Sequence, residues 1–328
     1  MAHSYTQIRE KAGLIDLQDW ARFAVTGPDA CDALDSVIGG NLVDLYDGKA
    51  MNTLIPSVSG GVEAILWVIA QEDGYLLLAE PDEQDAMAGV LADLALTYNI
   101  TVTDRAGTLF HMVLTGPDAE AVAGKALGPD VTSIPFLSTL RLDDGALAIR
   151  IGYFGEYELH LVGAYTDQDA LVKGLEAAYG ASLVVDGSSL SVMMAEMRIL
   201  NRARDIPAEV SVFQAGLQWM VDFQKGNLRG AEALNLRRDE PGRQAVLVEM
   251  DDAPVASQTP IIVEGEEIGT VQSAYHSQTL GKTIALAFLN SDLAVPSLIL
   301  QTSAGIARTL SAPAFLSRSV LNAMGQTA

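Results

Sequence analysis

Phe23-Ala24-Val25-Thr26-Gly27-Pro28-Asp29-Ala30 and Met112-Val113-Leu114-Thr115-Gly116-Pro117-Asp118-Ala119 end in the same Thr-Gly-Pro-Asp-Ala string, 89 positions apart from Gly27 to Gly116. In each copy an apolar, strand-forming run meets a glycine. A proline then follows, suited to a first helical position, and an acid favoured at a helix N-terminus. The unit is strand, tight turn, helix. Two copies point to duplicated α+β halves rather than a solenoid, which needs three or more repeats to bury its faces.

Working outward, 62–68 and 74–79 read as strands joined by the acidic turn Gln71-Glu72-Asp73-Gly74, and 82–96 has the apolar spacing of an amphipathic helix. The stretch 146–162 reads as paired strands about Phe154-Gly155-Glu156, with Ile151 and Tyr153 on the first of them. Residues 189–201 read as a helix and 273–277 as a loop. The charged, proline-containing run from Asn235 to Arg243 reads as a linker. Short strands separated by Gly265, Gly269 and Pro296 follow, so an all-β domain is expected from about Arg243 onward.

The chain has 328 residues, 49% hydrophobic and 19% charged, which excludes a disordered tail or a coiled coil and gives room for two or three domains. Its longest strongly apolar stretch, 64–70, is far short of the ~18 residues of a membrane span, and no signal segment is evident at the start; a soluble, cytoplasmic protein is expected. A net charge of −22 disfavours nucleic acid and anionic membranes as partners. Cys31 is the one cysteine, so this chain can build neither an internal disulfide nor a cysteine-rich metal site. His3, His111, His160 and His276 have no metal-ligand spacing, and no metal is expected.

Several stretches taken together resemble the aminomethyltransferase family, whose type member is the glycine cleavage T-protein. They are Arg9-Glu10-Lys11-Ala12-Gly13-Leu14-Ile15-Asp16-Leu17, Ser59-Gly60-Gly61-Val62, Gly152-Tyr153-Phe154-Gly155-Glu156-Tyr157-Glu158, Ala215-Gly216-Leu217-Gln218-Trp219, Lys225-Gly226-Asn227-Leu228-Arg229-Gly230 and Thr279-Leu280-Gly281-Lys282. Their order along the chain, more than any one of them, carries the resemblance. It implies an α+β fold: a three-domain cloverleaf with a C-terminal β-barrel-like domain. The expected division is 1–50 plus 107–235 as a folate-binding domain, 51–106 as an inserted β-β-α domain and 243–328 as the β-rich domain. It implies tetrahydrofolate as cofactor, a small methylated donor, and one-carbon transfer to or from the pterin nitrogens.

By the same resemblance, Glu158 matches the family's pterin-binding glutamate and Tyr153 the tyrosine of that pocket, the latter also the candidate catalytic group. Arg198 matches the arginine of the family's Arg-Leu-Glu helix, placed to neutralise a folate carboxylate. The family's aspartate after the glycine turn falls here at Ala64 or Ile65. That acid is associated with closing a methylene bridge, where nitrogen 10 must lose a proton, so transfer of an intact methyl group is the expected chemistry. Glu80, where the family has an asparagine, is the candidate contact for a cationic donor. Two alternatives stand beside the demethylase: an orthodox aminomethyltransferase working on a lipoyl carrier protein, disfavoured by the missing aspartate, and a folate-binding accessory protein without turnover.

Overall fold

The computed structural model describes residues 2–239, 242–251 and 254–325. After α1 (Ala2–Glu10) and β1 (Gly13–Asp16), one antiparallel sheet is built from β2 (Ala21–Thr26), β3 (Ala50–Pro56), β4 (Val62–Gln71), β5 (Gly74–Ala79) and β6 (Thr101–Asp104), in the order β3-β4-β5-β2-β6. A second sheet combines β1 with β7 (Leu109–Thr115), β8 (Ser138–Arg141), β9 (Leu147–Arg150) and β10 (Glu158–Ala164), in the order β1-β7-β10-β9-β8. Both copies of the repeat fold alike. β2 turns at Gly27 into α2 (Ala30–Asp35), and β7 turns at Gly116 into α4 (Ala119–Leu127); α3 (Gln84–Thr97) lies between the copies. Both glycines have φ above +115° and sit where a Cβ would strike backbone, Asn99 O at 2.6 Å and Lys11 O at 2.4 Å. The prolines lie in the turn, two residues ahead of each helix, rather than at its first position.

Strand periodicity explains the near-continuous apolar run of β4. Leu66 and Val68 pack under α2 and α3, whereas Trp67 and Ile69 pack on the other sheet, against Ile15, Val113, Ile149 and Val162. The second sheet is covered on its outer face by Val122 and Ala123 of α4 and by Leu171 and Leu175 of α5 (Gln168–Tyr179). The result is four layers: helices, sheet, sheet, helices. Because β2 pairs with β5 and β6, the sheet holding 51–106 also takes in 21–35. The seams therefore fall near residues 20 and 105, not at 50 and 106. The sequence misplaced the first seam because nothing local distinguishes β2's partners from those of its repeat twin.

Residues 190–237 wrap the sheets as α6 (Leu190–Met197), α7 (Arg202–Asp205) and α8 (Ala231–Arg237), which takes the first part of the expected linker; Glu240 and Pro241 lie outside the described residues. A closed barrel follows, β11 (Arg243–Met250), β12 (Pro260–Val263), β13 (Glu266–Ser277), β14 (Lys282–Asn290), β15 (Ile299–Thr302) and β16 (Gly305–Leu310), in the order β11-β14-β13-β12-β15-β16, with β16 returning to β11. Closure leaves no free sheet edge. The expected loop at 273–277 is the end of β13, since Ser273 to Ser277 pair with β14. Leu54, Val62 and Ile65 of the first sheet, Leu217 and Met220 of the wrap, and Leu286 and Phe288 of the barrel share one core. Beyond the barrel, α9 (Arg318–Ala323) returns to the second sheet. Ser317 Oγ donates to Gly155 O, and Ser319 donates through N and Oγ to Glu156 Oε2, at 3.0 and 2.7 Å.

Candidate functional site

Residues 151–157 form the turn between β9 and β10, so Tyr153 is not on a strand as the alternation of Ile151 and Tyr153 suggested. Glu158 opens β10, and its side chain folds back into that turn. Oε2 accepts the Tyr153 N–H at 2.7 Å and Oε1 the Phe154 N–H at 2.5 Å. His160 Nε2 stands 3.7 Å from Oε2, and His160 Nδ1 lies 2.9 Å from His111 Nε2. All three side chains are fully buried. The tautomer that leaves fewest conflicts has His111 Nε2–H donating to His160, with the His160 Nε2–H turned toward the carboxylate. Burial holds His111 well below the ordinary imidazole range, and His160 and Arg22 add to the effect, so the pair is neutral at that end.

The Tyr153 ring meets Trp20 and Trp67 edge-on, with centroids 5.1 and 5.7 Å away. Burial raises its phenol well above the usual range, and the carboxylates of Glu80 and Glu158 add to the rise. Tyr153 therefore stays protonated and is a poor acid. A small cavity of about 60 Å³ lies between it and Asn52, Ile65, Arg198 and Trp219. Alongside runs a cleft of about 550 Å³ whose walls include Met51, Asn52, Trp67, Phe136, Gly152 and Trp219. That volume suits a cofactor-sized molecule. Two features of the walls bear on one: Trp67 Nε1 is buried beside the Tyr153 phenol with no well-formed hydrogen bond among the described residues, and a Cβ on Gly152 would come 3.4 Å from Glu158 Oε1. Gly152, which lines the cleft, thus lies against the carboxylate. Glu158 itself lines neither cavity.

Arg198 sits just past α6, which stops at Met197 instead of continuing to 201 as the sequence suggested. Its backbone is left-handed (φ 57°), which turns the side chain toward the barrel, where it donates to Ala245 O at 2.9 Å. A Cβ on Gly216 (φ 73°) would lie 2.7 Å from its NH2, so that glycine makes room for the guanidinium. Burial lowers its pKa, Nε has no partner, and no carboxylate pairs with it among the described residues. The structure thus joins Tyr153 and Arg198 on one cavity and sets Glu158 behind them. On β4, Ala64 faces the α2/α3 core and Ile65 the cavity, while Glu63 turns away to Arg229 at 3.7 Å. The cavity-facing position carries no acid.

Glu80 lines neither cavity but lies close to Tyr153, where Oε2 accepts from Asn201 Nδ2 at 3.0 Å. Burial raises it to about 7, against the opposing pull of Asn201 and Arg204. Glu83, almost wholly buried, is raised to about 8 by burial and by Glu80, against the pull of Arg202 and the Ile65 backbone, and its Oε2 has no hydrogen-bond partner among the described residues. Both acids are thus held protonated in the fold over a range where they ionise when unfolded. The folded state binds more protons between about pH 4.5 and 8, so their contribution to stability falls as pH rises through that window. Glu83→Gln is expected to stabilise the protein by about 1–3 kcal/mol at pH 8 and by almost nothing near pH 4.5. Urea titrations at the two pH values check this; an equal change at both would show that the carboxyl is not strained.

Trp67 and Asn52 were not singled out from sequence, whereas His160 was named beside Tyr153 as a candidate proton donor. Trp67 shares a strand face with Ile65, two positions away, and that period-2 relation was the available signal. Lys225, in the Lys-Gly-Asn motif, pairs with Asp35 at 2.8 Å and donates to Ile38 O and Gly40 O. It pins the loop that walls the outer cleft. Among the described residues no group of His, Cys, Asp and Glu could hold a metal ion, and no helix is long and apolar enough to cross a membrane.

Residues 1–225 match the family model described as the GCVT N-terminal domain, and 243–310 match the glycine cleavage T-protein C-terminal barrel domain. An aminomethyltransferase of Streptomyces avermitilis is 30% identical over 302 residues, covering 88% of this chain and 81% of its own length. One from Saccharopolyspora erythraea is 26% identical over 312 residues, covering 92% and 84%. The crystal structure of glycine cleavage system aminomethyltransferase T from Bartonella henselae superposes with a TM-score of 0.87 at 20% identity, covering 96% of this chain and 89% of that one.

Proposed function

The chain belongs to the glycine cleavage T-protein family of aminomethyltransferases, and from that premise we propose that it moves an intact methyl group from a small cationic donor to tetrahydrofolate. The observation that carries this reading is Ile65, an apolar side chain at the cavity-facing position where the family's acid would stand. Without a carboxylate there, nothing on β4 assists proton loss at nitrogen 10, which a methylene bridge requires and a methyl transfer does not.

The cleft residues fit a folate. Trp67, Phe136 and Trp219 offer apolar walls, and Trp67 Nε1 and Asn52 offer polar contacts. The Glu158 side chain, which lies against Gly152 on the cleft wall and accepts two backbone N–H groups, is the acceptor proposed for an aminopyrimidine edge. When bound, tetrahydrofolate would supply nitrogen 5 as the methyl acceptor, giving up its proton to water while the donor departs with the electron pair of its carbon–sulfur or carbon–nitrogen bond. Tyr153 orients rather than protonates, since its phenol is held neutral and weakly acidic. A sulfonium or quaternary ammonium donor suits such a site, because it departs as a neutral molecule and needs no acid. Glu80, beside Tyr153, supplies a negative potential to draw it in once ionised, above about pH 7 before a cation binds. Binding a cation favours the ionised form of Glu80, so the donor's KM should fall as pH rises through about 7, and Glu80→Gln should raise KM about ten-fold and flatten that dependence.

Product analysis by mass spectrometry tests the proposal. With a sulfonium or ammonium donor the expected product is 5-methyltetrahydrofolate. The second reading, transfer of an aminomethyl group from a lipoyl carrier, is favoured by the relatives named aminomethyltransferase. Robust 5,10-methylenetetrahydrofolate from that carrier would overturn the first, and folate binding without turnover on any donor would leave an accessory protein.

A further inference from the structure

The inner face of the second sheet, packed on the first, carries Val113, Ile149 and Val162, and among them stand Glu158 and His160 of β10 and His111 and Thr115 of β7, all four fully buried. Strand alternation puts these polar groups on the same face as the valines. Burying imidazoles in such a core costs free energy that apolar side chains would not, and pairing does not recover it. His111 Nδ1, His160 Nε2 and Thr115 Oγ1 have no hydrogen-bond partner among the described residues. The rings are boxed in by aromatics: Trp20 meets His111 edge-on at 5.5 Å and lies 6.4 Å from His160, and Tyr153 lies 6.2 Å from His160. With His160 Nδ1 tied to His111 at 2.9 Å, Nε2 is the nitrogen left over, and it stands 3.7 Å from Glu158 Oε2. That gap is longer than a formed hydrogen bond and closes with a small shift of the carboxylate. The other titratable or charged groups near the pair are the Tyr153 phenol and, beside His111, Arg22.

We propose that His160 is a positioning residue for the folate site: oriented by His111, its Nε2–H holds the Glu158 carboxylate in the turned-back rotamer in which it accepts the aminopyrimidine edge. The inference rests on the folate reading above and adds the pair that sets the acceptor's aim. The Tyr153 and Phe154 N–H groups tie the carboxylate to the turn, and the imidazole supplies a further donor when the pterin draws on the same oxygens. Hydrogen bonds of this kind are commonly long in the free protein and tighten when the ligand is seated. His111 fixes which nitrogen of His160 carries the proton. Burial keeps His111 neutral, so it brings no charge that would compete with the ligand for Glu158. His160 lines neither cavity and takes no part in the transfer.

Calorimetry with 5-methyltetrahydrofolate and with its analogue carrying a methyl in place of the 2-amino group tests this. The wild-type protein is expected to favour the parent by about ten-fold or more, and His160→Leu should cut that ratio about five- to ten-fold while changing the analogue's affinity by less than about two-fold. A residue that merely braces the core would weaken both ligands alike. His160→Gln, whose amide N–H can stand where Nε2–H stood, should restore most of the ratio. Nitrogen NMR needs no variant: the chain has four histidines, and the His160 Nε2–H signal of the wild-type protein should move downfield when 5-methyltetrahydrofolate binds while that of His3 stays in place. A ratio that survives His160→Leu, or a His160 signal indifferent to the ligand should that variant not fold, would overturn the positioning role and leave the folate site standing. Equal wild-type affinities for parent and analogue would overturn the Glu158 contact on which the role depends. Binding of neither would overturn the folate reading and this inference with it.

Discussion

Arg9→Met is expected to cost about 3–5 kcal/mol of folding free energy, the largest effect of any single substitution considered. Arg9 of α1 is buried and spans two carboxylates, Glu196 at 2.5 Å and Glu156 at 3.2 Å, and also donates to Phe154 O at 2.7 Å. Tyr5 and Ser277 add hydrogen bonds to Glu196 from α1 and the barrel, at 2.5 and 2.7 Å. Methionine fills much of the volume but strands two buried acids without a cation. Removing one partner of a buried network exposes the desolvation cost that the pairing had offset. Urea unfolding measures it. Adding Glu196→Gln should recover part of the loss, because the two sites share one network; a loss below about 1 kcal/mol would show that the charges find water.

Glu158→Ala is the second large effect. It leaves the Tyr153 and Phe154 N–H groups unpaired inside the protein and removes the acceptor proposed for the pterin. Folate affinity should fall by about 1.5–3 kcal/mol, the usual loss for a hydrogen bond to a charged group, with a further stability loss of about 1–3 kcal/mol from the orphaned donors. Calorimetry separates the two when binding is measured well below the unfolding midpoint. Unchanged folate affinity in a destabilised protein would reduce Glu158 to a brace for the turn.

The architecture was legible where periodicity speaks. The Thr-Gly-Pro-Asp-Ala repeat marks two strand–turn–helix units, and the structure shows both, one in each sheet. β4, β5 and α3 follow the same apolar spacing. What escaped was pairing across the sheets, which is not local: β2 joins β5 and β6 through contacts set by tertiary packing. The 151–157 segment alternates like a strand, yet Glu158 reaches back to take its N–H groups, and this side-chain acceptance outweighs the β-propensity of Ile151 and Tyr153. Similarly, α6 carries helix formers up to Arg198, but room beside Gly216 turns that residue left-handed. Of the candidate site residues, Tyr153 and Arg198 meet on one cavity, Glu158 stands behind the Gly152 backbone, and Glu80 is linked through Asn201 rather than facing the cleft. The sequence named the chemistry of those groups but not the layer each occupies.

The clasp of Ser317 and Ser319 on the Gly155–Glu156 bend joins partners 162 and 163 residues apart in sequence. During vectorial synthesis the bend leaves the ribosome long before its fastener, and the whole barrel is made in between. The ligand-facing loop thus spends most of its birth unlatched, and the step that secures it is among the later ones in the life of the nascent chain. A polypeptide cut short after the barrel would keep all three sheets and lack that latch, which makes ligand affinity, rather than secondary structure content, the sensitive gauge of whether translation ran past residue 319.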